Sequence, residues 1–168
     1  NDRVECLKCD ISEREDVDKI CEQMLRHREI KVIFLAAYHN PDLVEKNIRF
    51  AWNINVTSLS YFINKLENVK CLFYPSSDSV YGNSTNRYHF KETDRLEPVK
   101  TYGRQKVAAE SIINCYGYNV VRFPFLISPS LTPAKKHFYD VIESTIKGNK
   151  EIEMLADSYR STLSFHTE

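Results

Sequence analysis

The sequence predicts an α/β protein built on a parallel sheet. Two features carry that prediction. Continuous apolar runs, KVIFLAA at 31–37 and CLFYP at 71–75, read as strands buried on both faces. Stretches with helical spacing separate such runs, and strands joined by helical crossovers lie parallel. In order along the chain, residues 4–9 (VECLKC) read as a first strand and about 13–28 as a charged helix. The strand at 31–37 follows. After Pro41 a long helical stretch carries Leu43, Val44, Ile48, Trp52, Val56, Leu59, Phe62, Ile63 and Leu66 at mostly helical spacing, which assigns Trp52 and the helix aromatics to the core. The strand at 71–75 leads into a polar, irregular stretch at 82–100, a long loop of the kind that carries function. A helix at about 102–116, a strand at 119–126, a helix at 135–147 and a short strand at 152–155 complete the order. Ligands of such sheets sit at the carboxyl ends of the strands. Asp10, Ala36, Ala37, Ser76, Ser77 and the segment after Arg122 all fall there.

At 168 residues the chain suits one domain with a real core. Lys+Arg and Asp+Glu both number 23, so a polyanion partner such as nucleic acid is not expected. No apolar run approaches the ~20 residues that span a bilayer, and NDRVECLKCD lacks the layout of a signal peptide. A cytoplasmic setting without membrane contact is the expectation. Five cysteines without framework spacing fit a reducing compartment. Cys6 and Cys9 have CxxC spacing but no second ligand pair, and the five histidines lack metal-ligand spacing, so no metal is expected.

The chemistry centres on EPVKTYGRQKVAAE at 97–110. Tyr102 and Lys106, at i and i+4, share one helix face. An ammonium beside a phenol favours the phenolate and lowers a reference pKa of about 10. A phenol tuned in this way can exchange a proton with a sugar hydroxyl or carbonyl. Ser77, on the strand-end turn SSDSVYG, can offer a second hydrogen bond to the same oxygen. Taken alone, the Tyr–Lys spacing is equally ordinary surface chemistry.

YxxxK after a strand-end serine resembles the short-chain dehydrogenase/reductase superfamily, and the chain more closely resembles its extended branch of nucleotide-sugar epimerases, dehydratases and reductases. Asp10-Ile11 is similar to the family's Asp-hydrophobic pair beside the cofactor adenine. Leu35-Ala36-Ala37 resembles the strand-end motif that lines the dinucleotide. Asn55-Val56-Thr57-Ser58 resembles the Asn-Val-x-Gly helix motif, with serine for glycine. SSDSVYG resembles the SSxxVYG turn, and Glu92-Thr93-Asp94, Pro98 and Tyr102-Gly103 resemble the approach to the catalytic tyrosine. Order and spacing agree from about 4 to 129. The resemblance implies a Rossmann-like doubly wound parallel sheet, NAD or NADP as cofactor, a nucleotide-sugar substrate and a homodimer formed through helices near 47–66. It casts Tyr102 as general acid/base. Lys106 lowers its pKa and bonds the nicotinamide ribose, and Ser77 orients the substrate. Asp10, Ile11, Leu35, Ala36, Ala37 and Asn55 join Tyr102 and Lys106 on the cofactor. Plainer readings stand beside these: Asp10 as a turn cap, Asn55 as a solvated or locally bonded residue, and Tyr81 as packing.

The chain departs from the family pattern at three places. Only four glycines are present, and none forms the Gly-rich turn that binds pyrophosphate. The sequence opens at what resembles the third strand of the order 3-2-1-4-5-6. Either the third strand pairs directly with the fourth in a rearranged sheet or, the favoured expectation, the chain is a fragment whose sheet is incomplete, with the first two strands missing. The fragment expected is 1–150 as a partial dinucleotide-binding domain with the catalytic segment, and 151–168 as the start of a truncated substrate region. Such a piece is expected to bind dinucleotide poorly. Second, Ser79 stands where dehydratases of this type carry glutamate after the acidic Asp78. Third, Phe125 replaces the asparagine usual three residues past the strand-end arginine, more like the dTDP-4-keto-6-deoxysugar reductases. The alternative function is a non-catalytic Rossmann-like protein that binds a nucleotide or a partner.

Overall fold

A computed structural model describes residues 4–85, 88–132, 136–154, 156 and 159–164. The chain divides into two compact units, 1–122 and 123–168, a break that falls earlier than the functional boundary expected at 150.

The first unit places helix α1 (Arg14–Met24) before strand β1 (Ile30–Ile33). Helices α2 (Pro41–Lys46) and α3 (Ile48–Trp52) follow, then a π-helical segment (Asn53–Ser58) and helix α4 (Leu59–Asn64). Strand β2 (Val69–Ser77) ends in a 3₁₀ turn (Asp78–Val80), and helix α5 (Thr101–Cys115) leads to strand β3 (Asn119–Phe123). The sheet order is β1-β2-β3, with β1 and β2 parallel in the register Val32↔Leu72 and Ile33↔Phe73. The α/β class and the parallel pairing are therefore as expected.

Alternation along the strands decides which face is covered. Ile30, Val32 and Phe34 of the β1 segment and Leu72 and Tyr74 of β2 join Val17 and Cys21 of α1, Leu59, Phe62 and Ile63 of α4, and Ala109 and Ile113 of α5 in one core. Helix α2 begins where Asn40 accepts bonds from the backbone of Asp42 (3.0 Å) and Leu43 (3.1 Å), with proline at the first helical position. The long helical stretch expected after Pro41 is interrupted at Asn47 and by the π-helical segment.

Four expectations are corrected. Residues 4–10 form no strand and are exposed, Val4 among them, because no neighbouring strand supplies a ladder. The run at 31–37 is not buried on both faces: Ile33 and Leu35 are 68% and 70% exposed, since side chains alternate across the sheet and the core covers only one side. Trp52 is 44% exposed and Phe50 51%, because the face they occupy points away from the core, which α4 fills with Leu59, Phe62 and Ile63. Residues 152–154 form no strand, and residue 155 lies outside the described residues.

In the second unit, the single strand expected at 119–126 is split at Pro124, which has no N–H to continue a ladder. Strand β4 (Phe125–Ile127) pairs in parallel with β5 (Thr162–Ser164) in a separate sheet. Helix α6 (Phe138–Lys147) is entered through Asp140, whose carboxylate accepts from the backbone of His137 (2.7 Å) and of Ser130 (3.0 Å) and from the Ser130 hydroxyl. Phe125 meets Phe138 edge-on at 5.6 Å.

Candidate active site

The site is assembled where β2 ends and α5 begins. Helix α5 has no side-chain cap of its own. Glu45 of α2 supplies one, accepting from the Thr101 backbone (2.7 Å) and hydroxyl (2.8 Å), so a carboxylate sits at the positive end of the helix dipole. Those two bonds hold the Glu45 carboxyl below its usual range. The start of α5 is also pressed onto the 3₁₀ turn. A Cβ on Gly103 would lie 2.4 Å from the Ser79 carbonyl oxygen and 2.8 Å from the Pro98 Cβ. This contact brings Tyr102 beside the Ser77–Ser79 turn. Gly103→Ala gains about 1 kcal/mol of helix propensity. The obstruction is backbone, however, and overpacking of that kind costs about 1–3 kcal/mol. A net loss of stability is expected, read as a lower midpoint in urea unfolding.

Ser77 caps the turn: its Oγ accepts from the Ser79 N–H (3.2 Å) and lies 3.1 Å from Asp78 Oδ1 and 3.0 Å from Ser79 Oγ. Lys106 is 4% exposed and donates to Tyr74 Oη (3.1 Å) and to the Pro75 carbonyl (2.9 Å). Its Nζ stands 5.9 Å from the Tyr102 ring centroid. Burial drives Lys106 down to about 8, with Glu110 opposing. Burial raises the Tyr102 phenol, and Asp78 raises it further. That direction is opposite to the sequence expectation. The physical reason is that the ammonium spends its hydrogen bonds on β2 rather than on Tyr102 Oη.

Behind the site lies a buried polar network that the sequence reading passed over. Glu110, 2% exposed, accepts from Ser76 Oγ and, in fork geometry, from Arg122 Nε (3.1 Å) and Nη2 (2.7 Å). Arg122 Nη1 reaches Tyr81 Oη and the Glu92 carbonyl, each at 2.9 Å, and Tyr81 stacks on Phe90 at 4.9 Å. The bonds it donates to Glu110 raise the Arg122 pKa above its ordinary value. Gly82 closes the same loop with φ +86°, and a Cβ there would meet the Glu97 carbonyl. The available signal was spacing: Tyr102, Lys106 and Glu110 stand at i, i+4 and i+8.

A buried amide connects strand end to helix. Asn55 accepts from Tyr38 N (2.8 Å) and donates to Tyr38 O (3.0 Å) and Gln105 Oε1 (2.7 Å). It ties the loop after β1 to α5, next to Lys106. Leu35 and Ala36 are exposed at that strand end, and Ala37 is half-buried. Asp10 is exposed and its carboxylate accepts from the Ser12 N–H (2.9 Å) and hydroxyl (2.7 Å), while its own carbonyl accepts from Glu13, so it shapes the entry to α1. Ile11 packs against the core. Among the described residues no group of three or more metal-ligating side chains occurs, and no helix is long and apolar enough to cross a membrane.

The family described as the RmlD substrate binding domain matches residues 2–163. The chain belongs to the RmlD substrate binding domain family. That membership agrees with the extended short-chain dehydrogenase/reductase motifs. Methionine adenosyltransferase 2 subunit beta of Danio rerio is 30% identical over 122 residues, covering 71% of this chain and 36% of that protein. The dTDP-4-dehydrorhamnose reductase of Aggregatibacter actinomycetemcomitans is 27% identical over 117 residues, covering 67% and 39%. The UDP-glucuronic acid 4-epimerase of Bacillus cereus, solved with UDP-glucuronic acid and NAD, superposes with a TM-score of 0.76 at 19% identity over 98% of this chain and 52% of that one. This RmlD-type chain thus spans well under half of the two curated relatives and about half of the solved epimerase. At that identity the epimerase establishes the Rossmann-like fold alone.

Proposed function

We propose that this chain supplies the catalytic segment of an NAD(P)-dependent enzyme acting on a nucleotide-linked sugar. The observation that carries the reading is the convergence of Ser77, Tyr102 and a buried Lys106 at the carboxyl end of β2, built by the Gly103 contact. Dehydrorhamnose reductase among the relatives and Phe125 at the third position after Arg122 in the sequence favour a sugar ketoreductase over a dehydratase.

The residues present fit a nicotinamide dinucleotide in part. Small or apolar Leu35, Ala36 and Ala37 line a strand end, and the third Lys106 N–H has no acceptor among the described residues, which suits a ribose hydroxyl. Asn55 holds the loop after β1 to α5 through Tyr38 and Gln105, next to Lys106. A bound nicotinamide supplies hydride chemistry. The chain's own part is proton transfer and orientation. Tyr102, kept neutral at pH 7 by burial and Asp78, donates its phenolic proton to a carbonyl oxygen being reduced. The Lys106 cation, 5.9 Å from the Tyr102 ring centroid, then stabilises the phenolate by its charge. Ser77 supplies the second bond to that oxygen.

The test uses the complete protein with reduced and oxidised NAD and NADP and a panel of UDP- and dTDP-linked 4-keto and 4-hydroxy sugars. Cofactor binding is followed by fluorescence and sugar conversion by NMR. Conversion of at least one sugar is expected. Absence of both binding and conversion sinks the enzyme reading in favour of a second one, a non-catalytic partner-binding protein. Two observations favour that second reading: a relative named as a subunit of another enzyme, and the exposed pair Ile48 and Trp52 at i, i+4.

A further inference from the structure

Lys106 is held from the strand opposite its helix. Its two acceptors among the described residues, Tyr74 Oη and the Pro75 carbonyl, both belong to β2. The cation also stands over the Tyr74 ring at 4.5 Å, nearer than the 5.9 Å to the Tyr102 ring. Tyr74 itself is buried on the covered face of β2, tilted against Phe34 at 6.4 Å. A lysine side chain is a flexible four-carbon stem with three rotatable donors. Among the described residues, its own helix offers the ammonium no hydrogen-bond acceptor.

We infer that Tyr74 is the positioning residue for Lys106: its hydroxyl and the adjacent Pro75 carbonyl take two of the three ammonium N–H groups and leave one for a ligand or Tyr102. The charged and titratable groups around Lys106 are few. From β2 come Tyr74 and the Pro75 carbonyl. From α5 come Tyr102 and Glu110, the latter held by Ser76 of β2 and Arg122 of β3. Asp78 acts on Tyr102 rather than on the lysine. Burial keeps the Tyr74 phenol well above the ordinary tyrosine range, so it remains a neutral acceptor wherever Lys106 titrates. The consequence for chemistry rests on the proposed role of Lys106. The hydrogen bond does not, and it is tested without turnover.

Tyr74→Phe retains the ring and its cation–π contact and removes only the acceptor. A hydrogen bond to a charged group is lost, so the Lys106 titration midpoint, followed by NMR of its side chain, is expected to fall by about one pH unit. In the complete protein the pH profile of turnover is expected to shift by the same amount in its Lys106 limb. As a second arm, Lys106→Met is read at the Tyr74 ring carbon bearing the hydroxyl, whose resonance is expected to move. An unchanged Lys106 midpoint in a folded Tyr74→Phe protein overturns the inference. So does an unmoved Tyr74 resonance in Lys106→Met, which decides the matter if the first variant does not fold. Loss of the catalytic reading through an active Tyr102→Phe protein would leave both resonance tests unaffected, so the two ideas fail separately.

Discussion

Tyr102→Phe is expected to lower turnover of the complete protein by about 10²–10⁴-fold, the usual contribution of a positioned proton donor. Phenylalanine keeps the ring in place, so helix packing and cofactor affinity should stay close to wild type. The pattern to look for is therefore a collapse of kcat with an intact cofactor titration; retained turnover removes Tyr102 from the mechanism. The pH dependence sharpens the test. Burial raises the phenol pKa and the Asp78 carboxylate adds to the rise by disfavouring a second negative charge. A reductase needs the protonated phenol and the Lys106 cation, so its profile carries a Lys106 limb and, at higher pH, a Tyr102 limb. Asp78→Asn removes the like charge and lowers the Tyr102 pKa. The Tyr102 limb should therefore move to lower pH, whereas a Tyr102 that takes no part in catalysis leaves the profile where it was.

Sequence made some of this legible and hid the rest for physical reasons. Ser77, Tyr102 and Lys106 could be found because a strand-end turn and an i, i+4 pair are short-range patterns. The strands within 31–37 and 71–75 could be found because each is a continuous apolar run, although β1 buries only one of its faces. A strand, though, is made by its neighbour, and residues 4–9 have the composition of one without the pairing. Trp52 has the spacing of a core residue, yet spacing gives a helix face and not what covers it. Asn55 illustrates the same limit at the site. Its partners Tyr38 and Gln105 lie 17 and 50 residues away, so its role as a tether is a property of the folded chain. The direction of the Tyr102 shift is set by burial and Asp78, whereas i, i+4 spacing gives only the nearness of an ammonium and not its contacts. Which acceptors Lys106 chooses depends on Tyr74, a strand residue that looks like ordinary core.

The network behind Tyr102 is expected to matter for stability more than any other polar feature of the first unit. Arg122→Met should destabilise the protein by about 3–5 kcal/mol, the cost of stranding one partner of a buried ion pair. Glu110 is almost wholly buried, and Arg122 provides three of the contacts to its two carboxylate oxygens. Without the guanidinium, Glu110 is left as a buried charge without its main partner. Arg122→Lys should rescue little, because a single ammonium cannot reproduce the fork to Glu110 and the Nη1 bonds to Tyr81 and Glu92 together. The double variant Glu110→Gln with Arg122→Met removes both charges and should recover part of the loss, which denaturant unfolding of all three variants will show. The effect should reach the site, since Glu110 lies one turn beyond Lys106 and grips Ser76, the residue before Ser77. Arg122→Met costing under about 1 kcal/mol, the range of an exposed pair, would mean that the network does not hold α5 against the sheet.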